Sequence, residues 1–218
     1  MIIVGISDIH GDTSHLDAIA QDLCDADVVV ISGDITNFGD KSEVANVIKT
    51  LRIYNKTILA VPGNCDLPQV SDYLTAHDIN LDQTCRIVNE VAFAGIGGSL
   101  PCPGRTPNEI SENEFHRHLV AAIENAPKAM PLVLVTHQPP YGTLADVSGG
   151  FRHVGSESIR AFIEKNKPAV CFCGHIHESQ SVDHIDGTTI INPGPLRTGG
   201  YAYVEINGTA VTAEVRGM

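Results

Sequence analysis

Tryptophan is absent from this 218-residue sequence and aromatic residues make up 5% of it, so there is little to stack on nucleic-acid bases. Positive charge is also scarce. Against 26 Asp+Glu stand 14 Lys+Arg, a formal net charge of −12, which argues against broad electrostatic capture of a phosphate backbone. No uninterrupted apolar run approaches the ~20 residues that would cross a bilayer, and no basic amphipathic stretch would lie on one. The N-terminus, Met1-Ile2-Ile3-Val4-Gly5, lacks the basic stretch, long apolar run and small-residue cleavage site of a secretory signal. The six cysteines are therefore expected as reduced thiols in the cytoplasm, not as a disulfide framework.

What is present is a hydrophobic fraction of 43%, and a chain of this length can bury roughly 70% of its unfolded surface without a staple. No repeat or linker divides it, so one unit over 1–218 is expected. The first two-thirds alternates apolar strand-like runs with amphipathic helices, which predicts parallel pairing with helical crossovers. One helical stripe is Leu16, Ile19, Ala20 and Leu23; a second is Val44, Val47, Ile48 and Leu51. Ser111-Glu112-Asn113-Glu114 is a capping box that opens a third helix with Phe115, Leu119, Ala122 and Ile123 inward. A fourth spans about Ser156 to Lys165 and ends at Asn166-Lys167-Pro168. Further on, Asp186-Gly187 and Asn207-Gly208 read as hairpin turns that complete a mixed sheet with antiparallel strands. Residues 97–107 and 146–155 read as long loops.

Five times an apolar run ends in a candidate metal ligand. Ile2–Ile6 leads to Asp8 and His10, Val28–Ile31 to Asp34, Ile58–Val61 to Asn64, Leu132–Val135 to His137, and Ala169–Phe172 to His175 and His177. Ligand sites of open α/β sheets collect at the carboxyl ends of parallel strands, so these residues are expected to converge. Two carboxylates, four imidazoles and one amide oxygen suit a divalent ion that accepts mixed nitrogen and oxygen ligands: zinc, manganese, iron or nickel. A lone aspartate or histidine after a strand is usually a cap or a surface group; five in succession are not.

Asp8-Ile9-His10, Gly33-Asp34, Gly63-Asn64-Cys65-Asp66, His137 and Gly174-His175-Ile176-His177, in that order, resemble the motifs of the calcineurin-like metallophosphoesterases. The resemblance implies an α/β sandwich of two mixed β-sheets flanked by helices. It implies two divalent ions, one held by Asp8, His10, Asp34 and His177, the other by Asp34, Asn64, His137 and His175, with Asp34 shared. A hydroxide bridging the ions would attack the phosphate ester, with Asp34, Asn64 and His137 as catalytic residues. The Asn64 amide NH2 would reach a phosphoryl oxygen, and His137 and His175 would each need an acceptor for the second ring nitrogen.

The chain departs from the pattern at Cys65, where many members carry a histidine that protonates the leaving group, and at Asn37, where its aspartate partner would stand. A thiol is a poor proton donor beside two metals. The departure therefore implies a preference for phosphodiesters and activated or aryl phosphates over alkyl monoesters. Arg105, Arg152 and His153 are candidates to touch substrate. His116 and His118 fall on different faces of a helix and read as surface or packing residues. Cys171 and Cys173 share one strand face and read as core. Alternatives are a non-catalytic scaffold of the same fold, a metal-dependent nuclease, which the charge disfavours, and a protein phosphatase, for which the residues after Gly33-Asp34 are wrong. The expected partner is a small phosphate ester rather than nucleic acid or membrane, with a homodimer left open.

Overall fold

The computed structural model describes residues 1–124 and 126–217. Its first sheet contains β1 (Ile2–Ile6), β2 (Val28–Ser32) and β3 (Ile58–Val61), all parallel. Its second contains β4 (Cys85–Val88), β5 (Val91–Ile96), β6 (Leu132–Thr136), β9 (Val170–Phe172), β10 (Ser181–Ile185) and β11 (Thr188–Asn192). The ribbon β7 (Val147–Ser148) and β8 (Arg152–His153) stands apart. The C-terminal hairpin β12 (Tyr201–Asn207) and β13 (Ala210–Arg216) adds antiparallel to β1. The orders are β13-β12-β1-β2-β3 and β10-β11-β9-β6-β5-β4, two mixed sheets as the resemblance implied.

The helices are α1 (Ala20–Asp25), α2 (Lys41–Tyr54), α3 (Pro68–Ala76), α4 (Glu112–Ile123) and α5 (Glu157–Asn166). Strand alternation sorts the side chains into three buried layers. Ile3, Val28, Val30, Val133, Val135 and Phe172 meet between the sheets. Val4, Val29 and Ile31 turn outward against Leu23, Val47 and Leu51. On the far side, Leu134, Cys171 and Cys173 pack under Phe115, Leu119 and Phe162. Strands covered on both faces read as unbroken apolar runs. Each fully buried Val or Ile contributes about 1.5–3 kcal/mol.

Local signals set the helix ends. Asp40 caps α2 by accepting from Ser42 N at 2.8 Å, Ser111 closes the capping box of α4, and Ser156 caps α5. Lys167 ends α5 in the left-handed region, before Pro168. Several details differ from the sequence reading. Leu16–Ile19 winds as a 3-10 turn before α1, and Ala20 is half-buried. Strands β4 and β5 form an antiparallel hairpin inside the part read as parallel, through Asn89-Glu90, both at positive φ. The last hairpin pairs Asn207 with Ala210, so its central residues are Gly208-Thr209, one position beyond Asn207-Gly208. The stretch 146–155 is not all loop, since it carries the β7–β8 ribbon. Among the described residues no helix is long and apolar enough to cross a membrane, and all six cysteines are free.

Candidate active site

The five strand ends that carry candidate ligands divide between the sheets, three on the first and two on the second, and the carboxyl edges of both sheets meet. Ser32 Oγ donates to the Cys173 carbonyl at 3.2 Å, and His137 Nδ1 donates to the Ser32 carbonyl at 2.8 Å. On the first sheet, Asp8 N donates to Gly33 O at 3.1 Å and His10 N to Asp34 O at 2.9 Å, which laces the β1 and β2 loops together. Asp8, His10, Asp34 and His175 all sit at positive φ (52, 48, 48 and 68°). Such backbone costs about 1–3 kcal/mol per residue and persists where surrounding structure enforces it, often at functional sites. Gly33, at φ 93°, leaves room for the His137 ring that a Cβ there would strike.

The side chains converge from these supports. Asp8 is fully buried; Oδ1 lies 3.2 Å from His177 Nε2, and Oδ2 accepts His175 N at 3.2 Å. Asp34, 2% exposed, lies between two imidazoles, His10 Nε2 at 3.7 Å and His137 Nε2 at 3.5 Å. His137 is fully buried; Nδ1 donates to Ser32 O at 2.8 Å and Nε2 to Asn64 Oδ1 at 2.8 Å. The His175 ring lies 5.1 Å from that of His137, and the His10 ring 5.5 Å from that of His177. All seven residues singled out in the sequence therefore stand in one cluster. Donor atoms of Asp8, His10 and His177, and of Asp8, Asp34 and His137, lie within 4.8 Å of one another.

Charge and burial compete here. Burial pushes the Asp34 carboxyl up, but His137 and the hydrogen bonds override it and hold the group far below the usual range. Burial opposes charge on His137 as well, yet Asp34 and Asp8 raise it to about 9. Burial and the neighbouring His137 lower His175 to about 4. The His137 Nε2 proton lies between that nitrogen and Asn64 Oδ1. Its loss would leave Nε2, Asn64 Oδ1 and an Asp34 oxygen as three converging donors. Both ring nitrogens of His10 are buried with no hydrogen-bond partner, a costly state that a metal ion at either nitrogen would relieve. The residues present fit divalent ions.

Other expected contacts fall differently. His153 lines an 890 Å³ cleft beside the cluster, as do Arg152, Tyr141 and Gln138 together with His175 and His177. Arg105 is exposed on its loop, outside that lining. The Ser32 carbonyl supplies the acceptor expected for His137, but the His175 ring has no hydrogen bond among the described residues. The Asn64 amide nitrogen contacts Cys65 Sγ at 3.5 Å. Asp66 closes the Gly63-Asn64-Cys65-Asp66 motif, where the sequence suggests no role for it. Its two oxygens accept Ile35 N, Gly63 N, Thr36 N and Thr36 Oγ1 at 2.7–3.0 Å, pinning the β2 and β3 loops. Asp146 does not stand out in the sequence either. It holds the 142–155 segment, and the Thr143-x-x-Asp146 capping box was its available signal.

Asp and His side chains at the strand ends of two facing sheets form a candidate metal centre. Residues 1–179 match the family described as calcineurin-like phosphoesterase, and the chain belongs to it. Membership implies metal-dependent hydrolysis of phosphoesters. The protein is 42% identical over 199 residues to the uncharacterized protein MJ1162 of Methanocaldococcus jannaschii, covering 89% of this chain and 88% of that one. It is 26% identical over 211 residues to UPF0046 protein K07C11.7 of Caenorhabditis elegans, covering 90% and 70%. Among solved structures, TT1561 of Thermus thermophilus superposes with a TM-score of 0.76 at 18% identity, over 98% of this chain and 97% of that one. The purple acid phosphatase PPD1 of Lupinus luteus gives 0.63 at 14% identity, over 100% and 51%. Both likenesses are of fold.

Proposed function

We propose that this protein is a dinuclear metallophosphoesterase in which Asp8, His10, Asp34 and His177 hold one divalent ion, Asp34, Asn64, His137 and His175 hold the other, and Asp34 is shared. The observation that carries the proposal is the convergence of seven donor residues from five strand ends on a buried site where both nitrogens of His10 lack a partner. Two divalent ions bound there would supply a nucleophilic water at neutral pH and positive charge for the phosphoryl oxygens. That charge offsets the repulsion expected from a chain of net charge −12. The protein's own part is to fix geometry: Asp66 and Ser32 lock the loops that aim Asp34, Asn64 and His137, and burial excludes bulk water.

The proposed substrates are small phosphodiesters and aryl phosphates, with an ester arm seated in the 890 Å³ cleft. Cys65, buried beside Asp34, stands at the position where many family members carry a histidine. In the metal-free fold burial, then the Asp34 carboxylate, pushes its thiol up, whereas bound ions would pull it toward thiolate; in neither state is it a good proton donor at neutral pH. The favoured esters are those whose leaving oxygen needs little protonation or whose departing arm reaches the far wall of the cleft, which a small alkyl monoester does not. The test strips the protein of metal, restores manganese, zinc, iron or nickel separately, and compares bis(4-nitrophenyl) phosphate with 4-nitrophenyl phosphate while metal content is measured. Metal-dependent turnover of the diester above the monoester is expected. Monoester preference would overturn the preference alone; no turnover with two ions bound would overturn the enzyme and favour the scaffold.

A further inference from the structure

Hydrolysis at this site needs a proton at the far end of the broken bond. As a water oxygen bonds phosphorus, the P–O bond to the leaving group breaks and its electron pair stays on the departing oxygen. That oxygen leaves far more easily if it is protonated. The four imidazoles around Asp34 are assigned to the ions, the buried Cys65 sulfur is turned onto the Asn64 amide nitrogen at 3.5 Å, and Asp66 has both oxygens occupied. The donor must then come from the opposite wall of the cleft.

That wall is formed by the β7–β8 ribbon, the segment 138–155 and the start of α5. Glu112 is occupied by Ser156 Oγ, Glu157 N and Ser158 N at 2.7, 2.9 and 3.0 Å. Glu178 accepts Ser148 Oγ and Gly149 N at 3.2 and 3.1 Å. Cys102 Sγ donates to Glu109 at 3.1 Å. Arg152 is exposed and, as a guanidinium, retains its proton. Glu157 is exposed, and Tyr141 packs edge-on against His153, ring centroids 5.8 Å apart. Among the described residues, His153 is the one histidine of this cleft outside the proposed ion-holding set.

Its setting is that of an oriented acid. His153 Nδ1 donates to Asp146 Oδ1 at 2.7 Å, and the Asp146 side chain is 0% exposed while that of His153 is 41% exposed. The same carboxylate accepts Gly142 N, Thr143 N and Gly155 N at 3.0, 2.9 and 2.9 Å, so it cannot swing away from the ring. A carboxylate on Nδ1 fixes that nitrogen as the protonated one and leaves Nε2 as the position that exchanges its proton. We propose that His153 is the general acid for the leaving group of a phosphodiester or aryl phosphate whose departing arm lies in this cleft, and that Asp146 is its positioning residue. The inference rests on the phosphoesterase reading and deepens it. The Nε2 proton of the imidazolium passes to the departing oxygen, and His153 ends neutral with Nδ1–H on Asp146. It regains a proton from solvent; one water is consumed, and one alcohol or phenol and one phosphate product are formed.

The test is a leaving-group series of aryl phosphates and diaryl phosphates, from 4-nitrophenyl to unsubstituted phenyl, with the metal-restored wild type and His153→Gln. Loss in kcat of roughly 100-fold for phenyl against about fivefold for 4-nitrophenyl is expected. Asp146→Asn should steepen the same dependence and shift the pH profile, without changing bound metal. Nitrogen-15 NMR of histidine-labelled, metal-free protein should show the His153 proton on Nδ1, a readout independent of turnover. An equal loss across the series would make His153 a binding residue only, and a neutral ring protonated on Nε2 would overturn the dyad. Wild type inactive on every ester with metal bound would instead refute the phosphoesterase reading, so the two failures are distinguishable.

Discussion

Two hollows of similar size lie at opposite edges of the sandwich. The 890 Å³ cleft borders the carboxyl ends of the strands, while a 710 Å³ hollow lies at the amino ends, beside Ala92, Leu132, Ala169, Lys165 and Lys167. Volume does not distinguish them. At the first, buried acids and imidazoles converge and His10 lacks partners; at the second, no lining residue among those described carries a buried polar atom without a partner. Left-handed backbone occurs at both edges, but at the second it serves a helix cap (Lys167) and a hairpin (Asp186). A site is marked by buried acids and imidazoles that crowd one another and leave a side chain such as His10 without a hydrogen bond, not by empty space.

The sharpest way to break this contrast is to exchange its charges. Asp34→Asn and His137→Ala should each lower metal-restored kcat/KM about 1000-fold or more, with loss of bound metal. Lys165→Ala with Lys167→Ala should change it less than about twofold. Hydrolysis lost in the lysine variants would move the chemistry to the other edge. Next in size is backbone packing. Gly33→Ala drives a Cβ into His137 and Gly63 at φ 93° and should cost about 3 kcal/mol in urea unfolding. Gly187→Ala, at φ 89° with nothing within 4 Å, should cost about 1 kcal/mol. Equal costs would show that strain alone, not the crowded centre, governs both.

The smallest effect is on pH. His137 is raised to about 9 in the metal-free fold, so its contribution is full below the unfolded value of about 6.5 and is lost as pH rises through 9. His175 is lowered to about 4, so its contribution is present above about 6.5 and is lost as pH falls through 4. Thermal melts of metal-free protein should therefore fall by a few degrees on going from pH 7 to pH 9. Added metal should reverse the trend, because it displaces the His137 proton. A metal-free melting temperature that climbs with pH across this window would contradict the proposed charge state of the centre.

Much of the fold was legible because its elements are locally consistent. The capping box at Ser111, the stripe Val44-Val47-Ile48-Leu51 and the Asp186-Gly187 turn each combine propensity with pattern, and each formed as read. The β4–β5 hairpin was not legible, since Asn89-Glu90 is a weaker turn signal than Asn-Gly. Helix α3 lies outside the four stretches that the sequence pattern marks, although Pro68 at its first turn is a start signal. At the site, the donor residues were visible as repeated strand endings. Asp66 and Asp146 act by hydrogen-bonding backbone amides, which any exposed aspartate can also do, so neither stood out.

The sequence by itself determined the buried strands, the main helix ends and the residues able to hold a metal, because side-chain chemistry and hydrophobic period act over a few neighbours. Only the tertiary structure decided that the five strand ends split between two sheets, that His10 is left without a hydrogen-bond partner, and that His153 faces the same cleft as His175 and His177. Those depend on approach between residues up to 169 positions apart, as with Asp8 and His177. Distances of that kind are set by sheet packing, which no local stretch of chain encodes.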